Sequence, residues 1–570
     1  MESAESPRGR DSGSLRRSPL DLIMNQIRRK RSASDWRPLG RFLSRTSDRT
    51  GIPEDGEAED QGQSPVVADD SDGSGDVGWG RVSVFLRSLG KTTDSRRMGV
   101  AHCDLTATDL MELASLLQFL PHLEEVDLSW NELIGGSLRV LTSHLNLVGG
   151  IRSLALSGCR LSSEDVMALG EALSFVPLLE ILDLSWNAAI SGDGLQCLLG
   201  KLSPAVRELH LVACHLTAAD AVALGSAVSS LSRLCVLDVS CNPQLAQEVA
   251  SGGFEELAVA LGHASALSTL RLQGCGLSTD RLHVLGGSLR HLPSLRQVDL
   301  SCNKGLSGGL DHLSPHLAHL THLESLDLHL CSLTHGDLEA LVQVLPSLTA
   351  LTELDVSSNK DAGGVVHSLV SALPLTQMRR LPFNSCSLNQ ESFTALALAV
   401  PYLRSVDVSW CKVVGGRLPL LLDALQPSII LELRLSSCEL TTDDLCHIAA
   451  VCSRGGLSSL RVLDLSYNGS VGADGWTALF TAGGLGSTED VDLSLRPLTS
   501  ASSSAWLPAL LRALPQLPAL NRLAMRRWTV GSADRQQLDR SLKKRNVLLE
   551  WDTDRDDPAL WSNQESRPEE

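Results

Sequence analysis

The chain has 570 residues, 43% of them apolar but only 4% aromatic, and a formal charge of −18. So acidic a chain lacks the basic face that phosphate contact requires, which excludes general nucleic-acid affinity while leaving room for a basic segment. No apolar run reaches the roughly 20 residues that span a bilayer; the most apolar candidate, 419–425, is interrupted by Asp423 and followed by Gln426.

The first residues, Met1-Glu-Ser-Ala-Glu-Ser-Pro-Arg8, lack the charged-then-apolar order of a secretory signal. The fourteen cysteines are therefore expected as thiols in a reducing compartment, the cytoplasm or the nucleus. Residues 1–80 are predicted to be a disordered tail, too poor in apolar side chains to offset the entropy of ordering. The first fifty residues hold twelve Arg or Lys against six acids, and residues 51–78 hold nine acids and no base, so a basic block precedes an acidic one. Leu20, Ile23, Met24 and Ile27 fall at helical spacing after Ser18 and Pro19. They spell either a short helix that docks on a partner or a transient helix with none. Arg28-Arg29-Lys30-Arg31 reads as a nuclear-import-like cluster, and Ser32 and Ser34 each follow an Arg by three residues, a pattern open to phosphorylation control. Such runs are also common in plainly solvated tails.

Residues 81–97 are expected to cap the amino-terminal end of a repeat array through Val82, Phe85, Leu86 and Leu89. The array then runs over residues 98–530. Its marker is Val126-Asp-Leu-Ser-Trp-Asn131, which returns as Leu182–Asn187, Leu237–Asn242, Val298–Asn303, Leu354–Asn359, Val406–Cys411 and Leu463–Asn468. Between these copies a second series ends in Cys103, Cys159, Cys214, Cys275, Cys331, Cys386 and Cys438. The unit recurs at about 28 residues, a period that means stacked supersecondary units rather than independent domains.

Each unit reads L-x-x-L-x-L-x-x-N/C. Alternate strand side chains face opposite ways, so Leu123, Val126 and Leu128 are predicted to enter the stack while Asp127 and Ser129 face out. The closing Asn suits a ladder of bonds to neighbouring backbone, and Cys fits as a small hydrophobe with a weak donor. In the Cys-ending units a helix start follows: Thr106 with Asp109, Thr217 with Asp220, Thr334 with Asp337 and Thr441 with Asp444 resemble capping boxes. The Asn-ending units carry Gly135-Gly136, Gly308-Gly309, Gly363-Gly364 and Gly415-Gly416, expected where the turn needs positive φ or a close backbone approach.

Strands stack about 4.8 Å apart and helices need about 8–10 Å, so the predicted architecture is an α/β solenoid of horseshoe shape and about 16 coils, with a parallel sheet on the concave face and α-helices on the convex face. One unit is longer, with an extra loop expected at 247–253. Residues 531–552 are expected to cap the carboxyl end, with a strand or cap at 545–551, and residues 553–570 to form an acidic disordered tail.

Alternating Asn-ending and Cys-ending units, each with a capped helix, resemble the ribonuclease-inhibitor-like subclass of leucine-rich repeat proteins. The resemblance covers roughly residues 98–530 and is carried by segments such as Leu120–Asn131, Leu435–Leu440, Leu463–Asn468 and Asp492–Pro497. It implies a non-enzymatic scaffold for a protein partner and brings no catalytic residue.

The residues agree with that implication. There is no H-E-x-x-H, no paired C-x-x-C and no G-x-S-x-G elbow, so neither an enzyme nor a cofactor is expected. His312, His316, His319 and His322 lie near one face of an outer helix, but Pro315 is predicted to mark the first turn, which would leave His312 off it; no metal is assigned.

Partner binding is expected on the concave face instead. One column is acidic: Asp127, Asp183, Asp238, Asp299, Asp355, Asp407 and Asp464, with Ser129 and Ser185 beside it. Asp is a poor strand former, so its recurrence means either a consensus role in orienting neighbouring backbone and Ser, or an acidic stripe that steers a basic partner. A second column is aromatic: Trp130, Trp186, Trp410 and Tyr467, with Cys241 and Cys302 in the same place mid-chain. These rings either anchor a partner or pack on the Gly-Gly turn; two strands apart, Trp130 and Trp186 are expected about 10 Å from each other. The expected function is a monomeric protein-binding scaffold without contact to membrane. A regulator of a small GTPase and a ribonuclease-inhibitor-like binder are the alternatives.

Overall fold

The structure, a computed structural model, describes residues 95–247 and 252–552. The tail features at 20–34, the amino-terminal cap at 81–89, the acidic tail at 553–570 and residues 248–251 of the long loop lie outside the described residues.

Strands of three residues recur once per coil. Ten of them, from Arg97–Gly99 to Glu353–Asp355, form a parallel sheet in chain order; six more, from Ser405–Asp407 to Leu548–Glu550, form its continuation. The register sets like on like: Val126 lies opposite Met98 and Leu154, and Asp127 opposite Gly99 and Ala155. In strands such as Glu125–Asp127, Ser153–Ala155 and Ile181–Asp183 the middle residue is buried and its neighbours are partly open, as period-2 alternation requires. The buried middle residues join the inward Leu of the outer helices in one core running the length of the array.

The sixteen strands do not form one unbroken ladder. Between Glu353–Asp355 and Ser405–Asp407 the sheet narrows to single bridges through Arg380. Two residues on stands Pro382, which has no N–H to give a ladder and is rarely tolerated inside a sheet. The same coil also lacks the Asn of the coil after it, where Cys411 stands instead. Its Cys386 and Leu388 N–H groups donate within their own coil, to Phe383 and Cys386 carbonyls.

Elsewhere the closing residues stitch coil to coil. Asn131 Oδ1 accepts from the N–H groups of Cys103 (3.1 Å) and Leu105 (3.0 Å), while its Nδ2 donates to the carbonyls of Val100 (3.0 Å) and Leu128 (2.7 Å). Cys159 then donates its S–H to the Leu128 carbonyl at 3.2 Å. Asn187 repeats the pattern on Cys159, Leu161, Leu156 and Leu184. All fourteen cysteines are free thiols, and burial pushes the Cys159 thiol up to about 11 and that of Cys214 up to about 12.

The four predicted capping boxes are present at Thr106, Thr217, Thr334 and Thr441, joined by Ser162 with Asp165 and Asn389 with Ser392. The cap carboxylate serves two coils: Asp165 also accepts from Gly136 N–H (2.6 Å) and Leu138 N–H (3.0 Å) of the coil before it. The Gly135-Gly136 turn needs glycine for both predicted reasons, since a Cβ on Gly135 would lie 2.1 Å from the Arg160 carbonyl oxygen and Gly136 has φ +79°. Gly364 departs, lying in the 3-10 turn Lys360–Val365.

One further expectation is corrected. Pro315 does not open its helix, which spans Leu310–Leu317 and includes both His312 and His316. The His312 ring meets His283 of the preceding coil edge-on at 5.8 Å, and among the described residues no group of three or more His, Cys, Asp or Glu is gathered to hold a metal ion. At the carboxyl end the Leu core gives way to rings: Trp506 packs on Trp528 (4.9 Å) and Trp476 (5.6 Å), and Trp528 Nε1 donates to the Leu493 carbonyl at 2.7 Å. The helix Ser532–Lys543 and the strand Leu548–Glu550 then cover the last coil. No helix among the described residues is long and apolar enough to cross a membrane.

Asn187 is fully buried and its side chain bonds five backbone groups at once. Asn187→Ala is expected to cost about 3 kcal/mol, because orphaned buried groups each cost about 1–3 kcal/mol, whereas Cys159→Ala should cost about 1 kcal/mol. Urea unfolding followed by circular dichroism measures both. The Asn187→Ala transition should also broaden, since a weakened joint lets the two halves of a solenoid unfold separately.

Candidate functional site: the acid and aromatic rim

Where each strand ends, the chain turns through a left-handed residue. His102, Trp130, Trp186, Cys241, Cys302, Ser358, Trp410 and Tyr467 have φ between 57° and 63°, and Gly158 and Gly274 occupy the same place at 65° and 62°. In alternate coils the turn is reinforced by the Asp column. Asp127 Oδ1 accepts from Ser129 N–H at 3.0 Å, and Asp183, Asp299, Asp355, Asp407 and Asp464 accept from the N–H two residues on at 2.9–3.0 Å. Asp238 does the same at 3.1 Å. These are Asx turns, so the consensus role weighed in the sequence is present in every copy.

That role changes which residues are available. Ser129 and Ser185, expected to face out, are only 8% and 5% exposed, and Ser185 Oγ accepts from Val212 N–H at 3.2 Å. Asp238 and Asp355 are buried too, and each spends its second oxygen on an arginine: Arg271 at 3.5 Å and Arg380 at 2.8 Å. The acidic stripe is thus interrupted in the middle coils. Among the described residues no ion pair engages Asp127 or Asp183, whose strand neighbours at the same level are Gly99, Ala155 and His210.

One place concentrates charge. Asp299, Asp327 and Asp355 stand abreast on three adjacent strands. Burial first and the Asp355 carboxylate second push Asp327 up to about 7, against the opposing hydrogen bond from His329 N–H at 2.9 Å.

The rings are drawn together by a residue that the sequence reading passed over. Trp130 and Trp186 lie 6.3 Å apart between centroids, not the expected 10 Å, and the Trp130 ring stacks on His102 at 5.7 Å with an 8° interplanar angle. The reason is Gly158 in the coil between them, whose Cβ would sit 2.5 Å from a Trp130 ring carbon. A Cβ on Gly135 would meet the Arg160 and Cys159 carbonyl oxygens. Both Gly158 and His102 were legible as occupants of the position before Cys159 and Cys103. A second pair, Trp410 and Tyr467, lies 5.8 Å apart, with Trp410 54% exposed. The mid-chain thiols Cys241 and Cys302 hold the same left-handed position, flank Gly274 and are half-buried.

The sequence profile of the Leucine Rich repeat family matches residues 119–137, 177–199 and 456–480. Over 220 residues the chain is 31% identical to the ribonuclease inhibitor of Sus scrofa, covering 38% of this chain and 47% of that protein. Over 204 residues it is 32% identical to the human NACHT, LRR and PYD domains-containing protein 5, covering 34% of this chain and 16% of that one. The chain therefore spans less than half the length of either relative. A solved Leptospira interrogans LRR protein aligns with 81% of this chain and 97% of its own at 16% identity, with a TM-score of 0.38.

Two outcomes follow from this geometry. Folded Asp327 holds its proton up to about 7 against an ordinary 3.8, so the native state binds more protons than the unfolded one across that window and stability falls as pH rises through it. Asp327→Asn keeps the acceptor for His329 N–H and should raise the thermal midpoint at pH 8 but not at pH 4. Gly158→Ala forces a Cβ into both a left-handed backbone and the Trp130 ring. It should cost about 2–3 kcal/mol and diminish the near-ultraviolet circular dichroism of the indole pair.

Proposed function

Because the chain is a leucine-rich repeat protein of the ribonuclease-inhibitor-like kind, we propose that it is a non-enzymatic scaffold that binds a basic partner protein on the concave face of its sheet. The observation that carries this reading is the placement of large rings where backbone geometry favours glycine. A non-glycine residue in the left-handed region costs about 1–2 kcal/mol. Trp130, Trp186, Trp410 and Tyr467 all bear that cost without being buried in the core. Aromatic side chains that are rigid, half-open and already stacked lose little entropy on contact, which is what interface anchors require. Asp127 and Asp183 lie beside the first ring pair without an ion-pair partner among the described residues, whereas Asp407 and Asp464 near the second pair flank Arg434 on the strand between them. Asp238 and Asp355 contribute less, being held by Arg271 and Arg380.

The test is affinity capture from cell extract with the wild type, Trp130→Ala/Trp186→Ala and Asp127→Asn/Asp183→Asn. Asn retains the turn acceptor and removes only the charge. Loss of the ring pair should weaken recovery of a specific partner about thirtyfold, the scale of an interface hot spot, and the Asn pair should slow association at low salt. Undiminished recovery with the far-ultraviolet spectrum intact would overturn the assignment of this surface. The identity to the pig ribonuclease inhibitor favours one concrete version, in which the basic partner is a ribonuclease. Inhibition of a ribonuclease by the purified protein, lost in Trp130→Ala/Trp186→Ala, is the expected result of that version.

A further inference from the structure

We propose that the chain carries its own ligand for this rim: residues 16–31 dock in cis across His102, Trp130 and Trp186, covering the surface until a partner displaces them. The inference rests on the rim being an exposed recognition surface, as argued above, and adds what occupies it in the free protein.

Three observations converge. The first is charge. Residues 16–31 contain Arg16, Arg17, Arg28, Arg29, Lys30 and Arg31 with Asp21 as the one acid. On the concave side of the first coils Asp127 and Asp183 have no ion-pair partner among the described residues, and Arg97, the nearest strand cation, is paired with Glu125 at 3.0 Å. Farther along, Arg271 and Arg380 neutralise the column, so the amino-terminal coils offer a basic segment the acids that remain free. The second is apolar matching. Leu20, Ile23, Met24 and Ile27 fall on one side at helical spacing, and the rim presents a continuous row of three rings with centroids 5.7 and 6.3 Å apart. Guanidinium groups stack on indole faces, so the basic residues also gain from the rings and not from the carboxylates alone.

The third is reach. The described chain begins at Ser95, beside the first strand. Residues 32–94 lie between the segment and Ser95, a length of chain that at about 3.3 Å per residue can bridge up to about 200 Å. The rim, at most three strands away, is about 15 Å distant. The intervening chain is therefore long enough for residues 16–31 to meet the rim of their own molecule. Residues 51–78, with nine acids and no base, compete for the same cations but carry no aromatic residue. The rim is distinguished from them by its rings.

The full-length protein with Ile23 replaced by the photo-crosslinker p-benzoylphenylalanine tests this directly. After irradiation at low protein concentration, crosslinks are mapped by mass spectrometry, alone and with Arg28→Glu/Arg29→Glu/Lys30→Glu/Arg31→Glu or Asp127→Asn/Asp183→Asn. The expected result is intramolecular crosslinks to peptides containing His102, Trp130 or Trp186. Their yield should fall about tenfold in either charge variant and in about 0.5 M NaCl, where the Debye length is about 4 Å. Crosslinks confined to residues 51–78, spread over the repeats, formed between two chains, or indifferent to the charge changes would overturn the proposal. Far-ultraviolet circular dichroism and the thermal midpoint of each variant, unchanged from wild type, separate loss of docking from misfolding. Partner capture separates the two readings. If cis crosslinks form as expected but Trp130→Ala/Trp186→Ala binds every partner normally, the partner surface is wrong and the docking stands. If partner binding needs the ring pair but no cis crosslink forms, the docking alone falls.

Discussion

The array depends on one bonding arrangement, the ladder of closing Asn and Cys residues. A solenoid coil ends in a turn whose N–H and C=O groups point at the next coil rather than at water, and buried groups of that kind must be paired. Asn131 and its copies pair two donors of the preceding coil and two acceptors with a single side chain. Cys159 and its copies add a weaker S–H bond to the same carbonyl level. The alternation is chemically sensible: an Asn between every two Cys supplies the acceptor that a thiol cannot. Where it lapses, at Cys411, the preceding coil bonds within itself and the sheet thins to the bridges at Arg380. Pro382 sits in that same coil, so the array's irregular joint combines a missing amide with a missing N–H.

The ladder also shapes the surface. Holding the closing residue inward forces the residue before it into left-handed backbone, and in the coils that carry it the Asp three residues before that position supports the turn by accepting the intervening Ser N–H. The acids are therefore scaffold first and electrostatic field second. Their recurrence is explained without a ligand, and only where no arginine engages the outer oxygen does the column present charge outward. The left-handed position is a consequence of the fold, but its occupant is free to vary among Gly, Ala, Ser, Cys, His, Leu, Trp and Tyr. Rings gathered at the two ends of the array, with thiols between, are a choice that the stack itself does not require.

Charge is distributed unevenly along the sheet for the same reason. Arg271 and Arg380 are placed to tie down Asp238 and Asp355, whereas Asp327 meets Asp299 and Asp355 directly and keeps a proton to about 7. The amino-terminal coils lack such arginines and are acidic without being self-repelling, because Ala155 separates Asp127 from Asp183.

By itself the sequence determined the period, the inward Leu and Val positions, the capped helices and the parallel order of the strands. Each of these is written in spacing between near neighbours and repeated often enough to average out local exceptions. It did not determine where side chains two coils apart would meet. Trp130 and Trp186 are 56 positions apart, and their contact is decided by an absent Cβ on Gly158. Nor could the period show that Ser129 and Ser185 are buried, since the turn curls them under the rim, or that Pro315 lies within a helix rather than at its start. The alignment of strands turns sequence distance into lateral adjacency, so the pairing of Asp with Arg, Asp with Asp and ring with ring exists only after stacking. Repetition made the scaffold readable; the exceptions to repetition make the surface, and only the tertiary structure brings them into contact.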